Sequence, residues 1–284
     1  MRQDVRRPHD QHDPGRQNRR VLHGEIRCLQ RMDHGLCQRV KSLWNPLFII
    51  PFRNCVAEIN RNLTGVESDM NSIVSEWYEE KKNVDEMRNW NPALKEWERS
   101  VISFFPPGAR ILDIGCGLGR EAFALSDLGY NVVGIDISNE VITQVKQLSA
   151  DKGYHISFQE YDGEHLNFDA EAFDVIIMWA QTFGLLYGNK FRKDYLSECK
   201  RVLKKGGLCS FSAHDYRFLT EHYPNCLDDH RFYPFADSVI YWEAFEAADL
   251  IQFAELAGLE VLLCEKGNIY KPEDGTILHC LCRK

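Results

Sequence analysis

From residue 70 onward, short apolar runs alternate with stretches whose apolar positions recur every three or four residues. The runs predict seven strands: Ile111–Ile114, Val132–Ile135, His155–Glu160, Phe173–Trp179, Leu208–Ala213, Leu259–Glu265 and Thr276–Arg283. The periodic stretches predict helices over 72–80, from Pro92 to the Pro106-Pro107 break, and over Arg120–Leu128, Asn139–Ala150, Lys190–Leu203 and Glu243–Ala257. Punctuation agrees. Gly129, Gly153 and Gly258 stand where helix-ending glycines belong, and Ser138 is a good N-cap. Phe173–Trp179 is almost continuously apolar, as a central parallel strand covered on both faces should be. Alternating strands and helices call for an α/β fold. Pro272 and Gly275 between the last two runs make those an antiparallel pair.

Two segments lack a period. Residues 1–69 are rich in Arg, Gln, His and Asp and are expected to be a disordered extension, with Met70 opening a stretch that reads as a natural start. Residues 216–242 hold many aromatics and charges and are expected to form a loop or lid near the carboxyl ends of the strands. The folded part, 70–284, then divides into an N-terminal helical cap (70–106), a core (107–215), that insertion, and a C-terminal helix with its strand pair (243–284).

Composition changes this picture only in places. The chain has 284 residues, 44% hydrophobic and 12% aromatic, which suits one sizeable packed domain plus an extension. Net charge is −8 but uneven: residues 1–69 hold twelve basic and eight acidic side chains, residues 70–284 hold 22 and 34. An acidic domain argues against a nucleic-acid partner, because phosphate binding needs clustered cations. Ten cysteines, with no CxxC pair, read as buried reduced thiols of a cytoplasmic protein. No secretory signal or membrane span is expected, since Leu47–Ile50 is the longest apolar run of the N-terminal region. Asp228-Asp229-His230 is the one cluster that invites a metal, and without paired ligands elsewhere it reads as a solvated loop, so no metal is expected.

The chemistry concentrates between Ala109 and Asp136. A strand runs into Gly115, Gly117 and Gly119, a helix follows, and a second strand ends on Asp136. This is the first half of a nucleotide-binding βαβ unit. Glycines let a ligand approach the main chain, the helix N-terminus presents unpaired N–H groups, and Asp136 can accept from two adjacent ribose hydroxyls.

Five motifs in register carry a resemblance: LDIGCGLG at 112–119, GIDIS at 134–138, YDG at 161–163, FDVI at 173–176 and RVLKKGG at 201–207. From about Ser75 to the C-terminus the chain resembles the class I S-adenosylmethionine (SAM)-dependent methyltransferases of the small-molecule type. The resemblance implies a Rossmann-like, seven-stranded, mostly parallel sheet with helices on both faces and an antiparallel C-terminal strand pair. It implies S-adenosyl-L-methionine as cofactor and a small organic methyl acceptor. It places Gly115, Gly117, Gly119 and Asp113 at the methionyl end, Asp136 at the ribose, Ile137, Asp162 and Gly163 at the adenine, and the Trp179 carbonyl at the amino group. Bland readings stand beside these: Asp113 as a helix-cap acid, Asp162 as a turn-former, Trp179 as core.

His214, just past the fifth strand, is either a base or a strand-end hydrogen-bonding residue, and Tyr78 either closes over the site or packs in the core. Gln181, Phe183 and Tyr187 are positioned to line an acceptor pocket. A dinucleotide is the competing cofactor, but the glycines run GxGxG rather than GxGxxG. A methyltransferase-fold protein that binds SAM or S-adenosylhomocysteine (SAH) without turnover is the competing function. A protein or nucleic-acid substrate is a lesser alternative, and the chain is expected to be a monomer or homodimer.

Overall fold

The computed structural model describes residues 74, 76–88, 92–222, 232–235, 238–269 and 275–284. The 1–69 extension, the Met70 start, Asp228-Asp229-His230, Pro272 and part of the expected lid lie outside the described residues.

The elements in order are α1 (Lys81–Met87), α2 (Glu96–Ile102), β1 (Arg110–Ile114), α3 (Arg120–Asp127), β2 (Asn131–Asp136), α4 (Asn139–Asp151), β3 (Ser157–Glu160), β4 (Phe173–Met178), a 3₁₀ turn (Thr182–Leu185), α5 (Asn189–Val202) and β5 (Leu203–Asp215). Then come α6 (Tyr216–His222), β6 (Phe232–Phe235), β7 (Ser238–Tyr241), β8 (Ala244–Phe245), α7 (Ala247–Leu256), β9 (Glu260–Asn268) and β10 (Thr276–Arg283). Seven strands form the main sheet in the order β3-β2-β1-β4-β5-β10-β9. β1 to β5 are parallel, and β10 runs antiparallel between β5 and β9. The fold expected from the pattern is the one observed, with one addition: the two-residue β8 pairs with the end of β5 through His214↔Ala244 and Asp215↔Phe245.

Side-chain alternation splits the core in two. Leu112, Ile114, Ile176, Met178 and Phe211 face α5 and α7, where they meet Leu196, Cys199, Leu250 and Ala254. Ile111, Val175 and Ile177 face α2, α3 and α4, where they meet Trp97, Val101, Ala122 and Val145. Helices thus cover both faces, which is why β4 reads as a continuous apolar run and not an alternating one. The strand order reverses between β1 and β4, opening a crevice at their carboxyl ends.

Punctuation held locally. Ser138 Oγ accepts from Val141 N at 3.1 Å at the start of α4. Gly129, Gly153 and Gly258 follow their helices with positive φ. Several boundaries moved: α7 starts at Ala247 and not at Glu243, and α1 stands where no helix was expected. α2 starts at Glu96 and not near Pro92, β5 reaches back through Lys204–Gly207, and the segment expected to be a loop contains α6 and a β6-β7 hairpin. Six cysteines among the described residues are free thiols, all buried except the half-buried Cys264. Among the described residues no helix is long and apolar enough to cross a membrane, and no group of three or more His, Cys, Asp or Glu could hold a metal.

Candidate active site

The glycine turn sits at the end of β1 because Gly115 and Cys116 donate to Ile135 O, at 2.9 and 3.0 Å, tying it to β2. Gly115 and Gly119 have φ of 70° and 82°. A Cβ on Gly115 would lie 2.7 Å from Thr182 Cγ2, and one on Gly119 would lie 2.9 Å from both Phe123 and Val145. Only glycine satisfies both the angle and the approach. Gly117 faces Met87 of α1, whose terminal methyl is 3.0 Å from where a Cβ would stand.

Two buried acids flank this turn. Asp136 accepts from Gly117 N at 3.0 Å through Oδ2 and from Ser138 N at 3.1 Å through Oδ1. Each oxygen keeps a lone pair for a pair of vicinal hydroxyls. Burial raises its pKa, and those backbone donors work against the rise. Asp113 is 2% exposed, and among the described residues its Oδ2 has no hydrogen-bond partner. Burial, and then the charge of Glu121, hold its carboxyl well above the usual range. An orphaned buried carboxylate oxygen is costly alone and is a seat for a cationic donor.

A short helical stretch, 76–79, closes over the same end. Ser138 Oγ donates to Tyr78 O at 2.9 Å, and Asn139 N donates to Glu79 Oε1 at 2.8 Å. Tyr78 is half-buried; burial and then Asp136 push its phenol up, so it keeps its proton. Ile137 faces Gly163, with Cγ2 3.2 Å from the position of a Cβ there. Asp162 caps its own turn: Oδ1 accepts from Glu164 N and His165 N at 2.8 and 2.7 Å, and Oδ2 meets His165 Nδ1 at 3.0 Å. The turn-forming reading of Asp162 is therefore realised.

A buried charge cluster went unread in the sequence. Glu98 of α2 is wholly buried and accepts from Arg120 Nη1 and Nη2 at 2.9 and 2.6 Å and from Lys95 N at 2.7 Å. Lys95 Nζ lies 3.6 Å from Glu98 Oε1, and Arg120 also pairs with Glu121. Burial would raise Glu98, but the Arg120 guanidinium outweighs it and the carboxyl stays below its ordinary value. Arg120 is the first residue of α3, so this bridge fastens the cover helix to the glycine turn.

The other end of the crevice is built differently. Trp179 is buried, and its Nε1 donates to Ser210 Oγ at 2.8 Å. Its carbonyl accepts from Thr182 N and Thr182 Oγ1, at 3.1 and 2.8 Å, so both lone pairs are already used inside the chain. Between them Ala180 and Gln181 take φ of 50° and 62°. Two successive non-glycine residues in the left-handed region cost on the order of 1–3 kcal/mol each and persist only where the surroundings impose them. Here Gln181 N donates to Ser212 Oγ at 3.0 Å. His214 is 3% exposed, its ring 4.3 Å from that of Trp242. Burial, and then the charge of Lys95, lower its pKa to about 3, so the imidazole is neutral at physiological pH. Arg192, fully buried, pairs with Glu243 beside Trp242, and Glu243 N donates to Gly184 O at 3.0 Å, which fixes this wall to the 3₁₀ turn.

A family model described as a methyltransferase domain matches residues 111–207, the stretch from β1 through β5 that holds this site. Residues 111–207 belong to the class I SAM-dependent methyltransferases. The chain is 27% identical over 169 residues to YqeM of Bacillus subtilis (strain 168), covering 58% of this chain and 65% of that protein. It is 30% identical over 147 residues to the ubiquinone biosynthesis O-methyltransferase of Roseobacter denitrificans, covering 48% and 58%. The chain thus spans about three fifths of the length of these relatives. The methyltransferase fold extends across the sheet. The SAM-dependent methyltransferase structure from Methanosarcina mazei superposes with a TM-score of 0.57 at 18% identity, covering 65% of this chain and 96% of that one. The 1,6-didemethyltoxoflavin-N1-methyltransferase of Burkholderia thailandensis gives 0.53 at 16%, covering 76% and 86%.

Within the methyltransferase domain, the structure gathers Asp113, Gly115, Gly117, Gly119, Asp136, Ile137 and Gly163 around one end of the crevice. Asp162 is at its rim, with its acceptors turned to its own loop. His214 stands at the other end.

Proposed function

We propose that this domain moves a methyl group from S-adenosyl-L-methionine to a small organic acceptor. The observation that carries the reading is the pair of buried acids on the glycine turn: Asp136, oriented by Gly117 N and Ser138 N, and Asp113, with an orphaned oxygen. These residues fit the cofactor: Asp113 takes the ammonium of its methionyl end, Asp136 its two ribose hydroxyls, and Ile137 and Gly163 the adenine faces. A dinucleotide offers no ammonium for Asp113. When bound, the cofactor supplies an electrophilic methyl on a positively charged sulfur.

The chain's own part is alignment and exclusion of water. Thr182, pressed on Gly115, joins the cofactor end to the end of β4. The 76–79 helix and Met87 cover one side, and Trp242 with Glu243 walls the other. Tyr78 is proposed as a cover residue that keeps its proton. His214, neutral, is proposed to orient the acceptor. The ubiquinone biosynthesis O-methyltransferase relative and the 1,6-didemethyltoxoflavin-N1-methyltransferase of the same fold support a small acceptor. The acidic domain supports it against a nucleic acid. Free buried thiols support a reducing, cytoplasmic setting.

Calorimetric titration of the full chain with SAM and SAH tests the reading, followed by assay of SAH release against a metabolite panel. Micromolar binding of both, with turnover, is expected. Absence of binding to a folded chain overturns the assignment, and binding without turnover on any acceptor favours the non-catalytic alternative.

A further inference from the structure

Methyl transfer as proposed brings a cation to Asp113 and leaves open which protonation state of that acid receives it. Five acids are buried among the described residues: Glu98, Asp113, Glu121, Asp136 and Asp215. Four of them are held by donors. Glu98 and Glu121 pair with the Arg120 guanidinium, and Asp136 accepts from Gly117 N and Ser138 N. Asp215 accepts from Thr276 Oγ1 at 2.9 Å and pairs with Lys266 Nζ at 2.6 Å. Asp113 differs: its Oδ2 is sealed from solvent and has no donor among the described residues.

The surroundings explain the difference. In register with Asp113 stand Gly134 on β2 and Ile177 on β4, which bring no polar side chain. Its strand face is that of Ile111, two residues back, and looks toward α2, α3 and α4. From α2 come Glu98 and its partner Lys95, from the head of α3 Arg120 and Glu121, and from the end of β2 Asp136. The buried residues of α4 are uncharged. That sets two cations against three carboxylates before Asp113 is counted. Ionised, Asp113 would add a fourth negative charge with an unpaired buried oxygen, and a neutral acid avoids both costs. Burial, and then Glu121, push its carboxyl up, and Arg120 opposes them without prevailing.

The cofactor's ammonium has an ordinary pKa of about 8 and arrives protonated at neutral pH. Apart, the acid and the ammonium each hold a titratable proton. Paired, they share a single one, whether as carboxylate with ammonium or as acid with amine, and the other goes to the buffer. We propose that Asp113 is a neutral acid until the ammonium end of S-adenosyl-L-methionine reaches it, and that cofactor binding is thereby coupled to release of one proton. This rests on the methyltransferase reading for the identity of the cofactor. Affinity then climbs with pH, by up to tenfold per unit, above the ordinary carboxyl value of 3.8, and levels off beyond the raised value of Asp113. Acid unloads SAM and SAH alike and spares a ligand that lacks the amine.

The test is calorimetric titration of the full chain with SAH from about pH 5 to pH 7, in paired buffers of different ionisation enthalpy, which counts the protons released. Beside it runs the SAH analogue whose amine is replaced by hydrogen, which keeps the adenosine, the thioether and the carboxylate. At the acid end SAH should release about one proton more than the analogue, and the excess should shrink as pH rises. Asp113→Asn has no proton to lose there and should abolish the excess. Should the variant fail to fold or the analogue bind too weakly to titrate, the pH profile of SAH affinity in the parent decides, and a flat profile overturns the proposal. Equal release from SAH and analogue, or an excess that survives in Asp113→Asn, overturns it too and leaves the methyltransferase reading intact. Failure of SAH itself to bind overturns that reading, and the proton coupling with it.

Discussion

The two ends of the crevice are built differently, one acidic and one neutral and aromatic. The β1-β2 end is acidic and made of consecutive chain: Asp113, the glycine turn and Asp136 lie within 24 residues, and Asp136 is oriented by backbone N–H groups. The β4-β5 end carries a neutral imidazole on β5 and the indoles of Trp97, Trp179 and Trp242, drawn from α2, the end of β4 and the segment after β7. The first is set by local geometry. The second is set by long-range packing. Glu98 joins them, binding Arg120 on one side and Lys95 on the other.

Breaking that joint should have the largest effect. Glu98→Gln leaves two buried cations without their shared carboxylate, and loss of one partner of a buried pair costs about 3–5 kcal/mol. Chemical denaturation should show that loss, and cofactor affinity should fall with it as α2 loosens from the turn. Loss confined to the surface-pair range, under about 1 kcal/mol, would deny the bridge its role.

At the acidic end, Asp136→Ala should weaken SAM by about 1–3 kcal/mol, the range for leaving buried polar partners unsatisfied. The fold should be unchanged by circular dichroism, and equal affinity in a folded variant would remove Asp136 from the cofactor site. Asp113 separates stability from function. Its folded pKa is raised, so ionising it as pH climbs through and above the ordinary carboxyl value of 3.8 works against folding. Asp113→Asn should therefore raise the melting temperature at pH 7 by a few degrees, about what 1 kcal/mol supplies in a domain of this size, while weakening SAM. A lower melting temperature would show that the carboxylate has a structural partner.

The smallest effect belongs to His214. Its folded pKa is lowered to about 3, against an ordinary 6.5. The unfolded chain takes up a proton there as pH falls below about 6.5 and the folded chain does not, so stability drops with acid through that window. Denaturation midpoints from pH 7 to pH 4 should fall less steeply in His214→Gln than in the parent. Parallel curves would mean that the imidazole protonates freely in the folded state.

The same contrast explains what the chain disclosed before folding. Strand, glycine turn, helix and acid are neighbours in sequence, so each leaves a local signal, and the strand-turn-helix-strand order read from them is the one observed. Lys95 and Glu98 left no signal, because nothing local announces a partner 22 residues from Glu98. Ala180 and Gln181 occupy positions where a glycine would have signalled a left-handed turn. Trp179 was expected to lend its carbonyl outward, but Thr182, three residues on, takes both lone pairs. The 216–242 segment hid a helix and a hairpin because its apolar residues follow no clean period in the sequence.

Arg120 opens α3, where a cation opposes the helix dipole and stands beside unpaired N–H groups. With Glu98 and Glu121 in place, its charge is spent within the protein. Stripped of them, the guanidinium, the glycine amides and the helix end would make an anion trap. The two glutamates thus act as a built-in counterion that neutralises the cation at the head of α3.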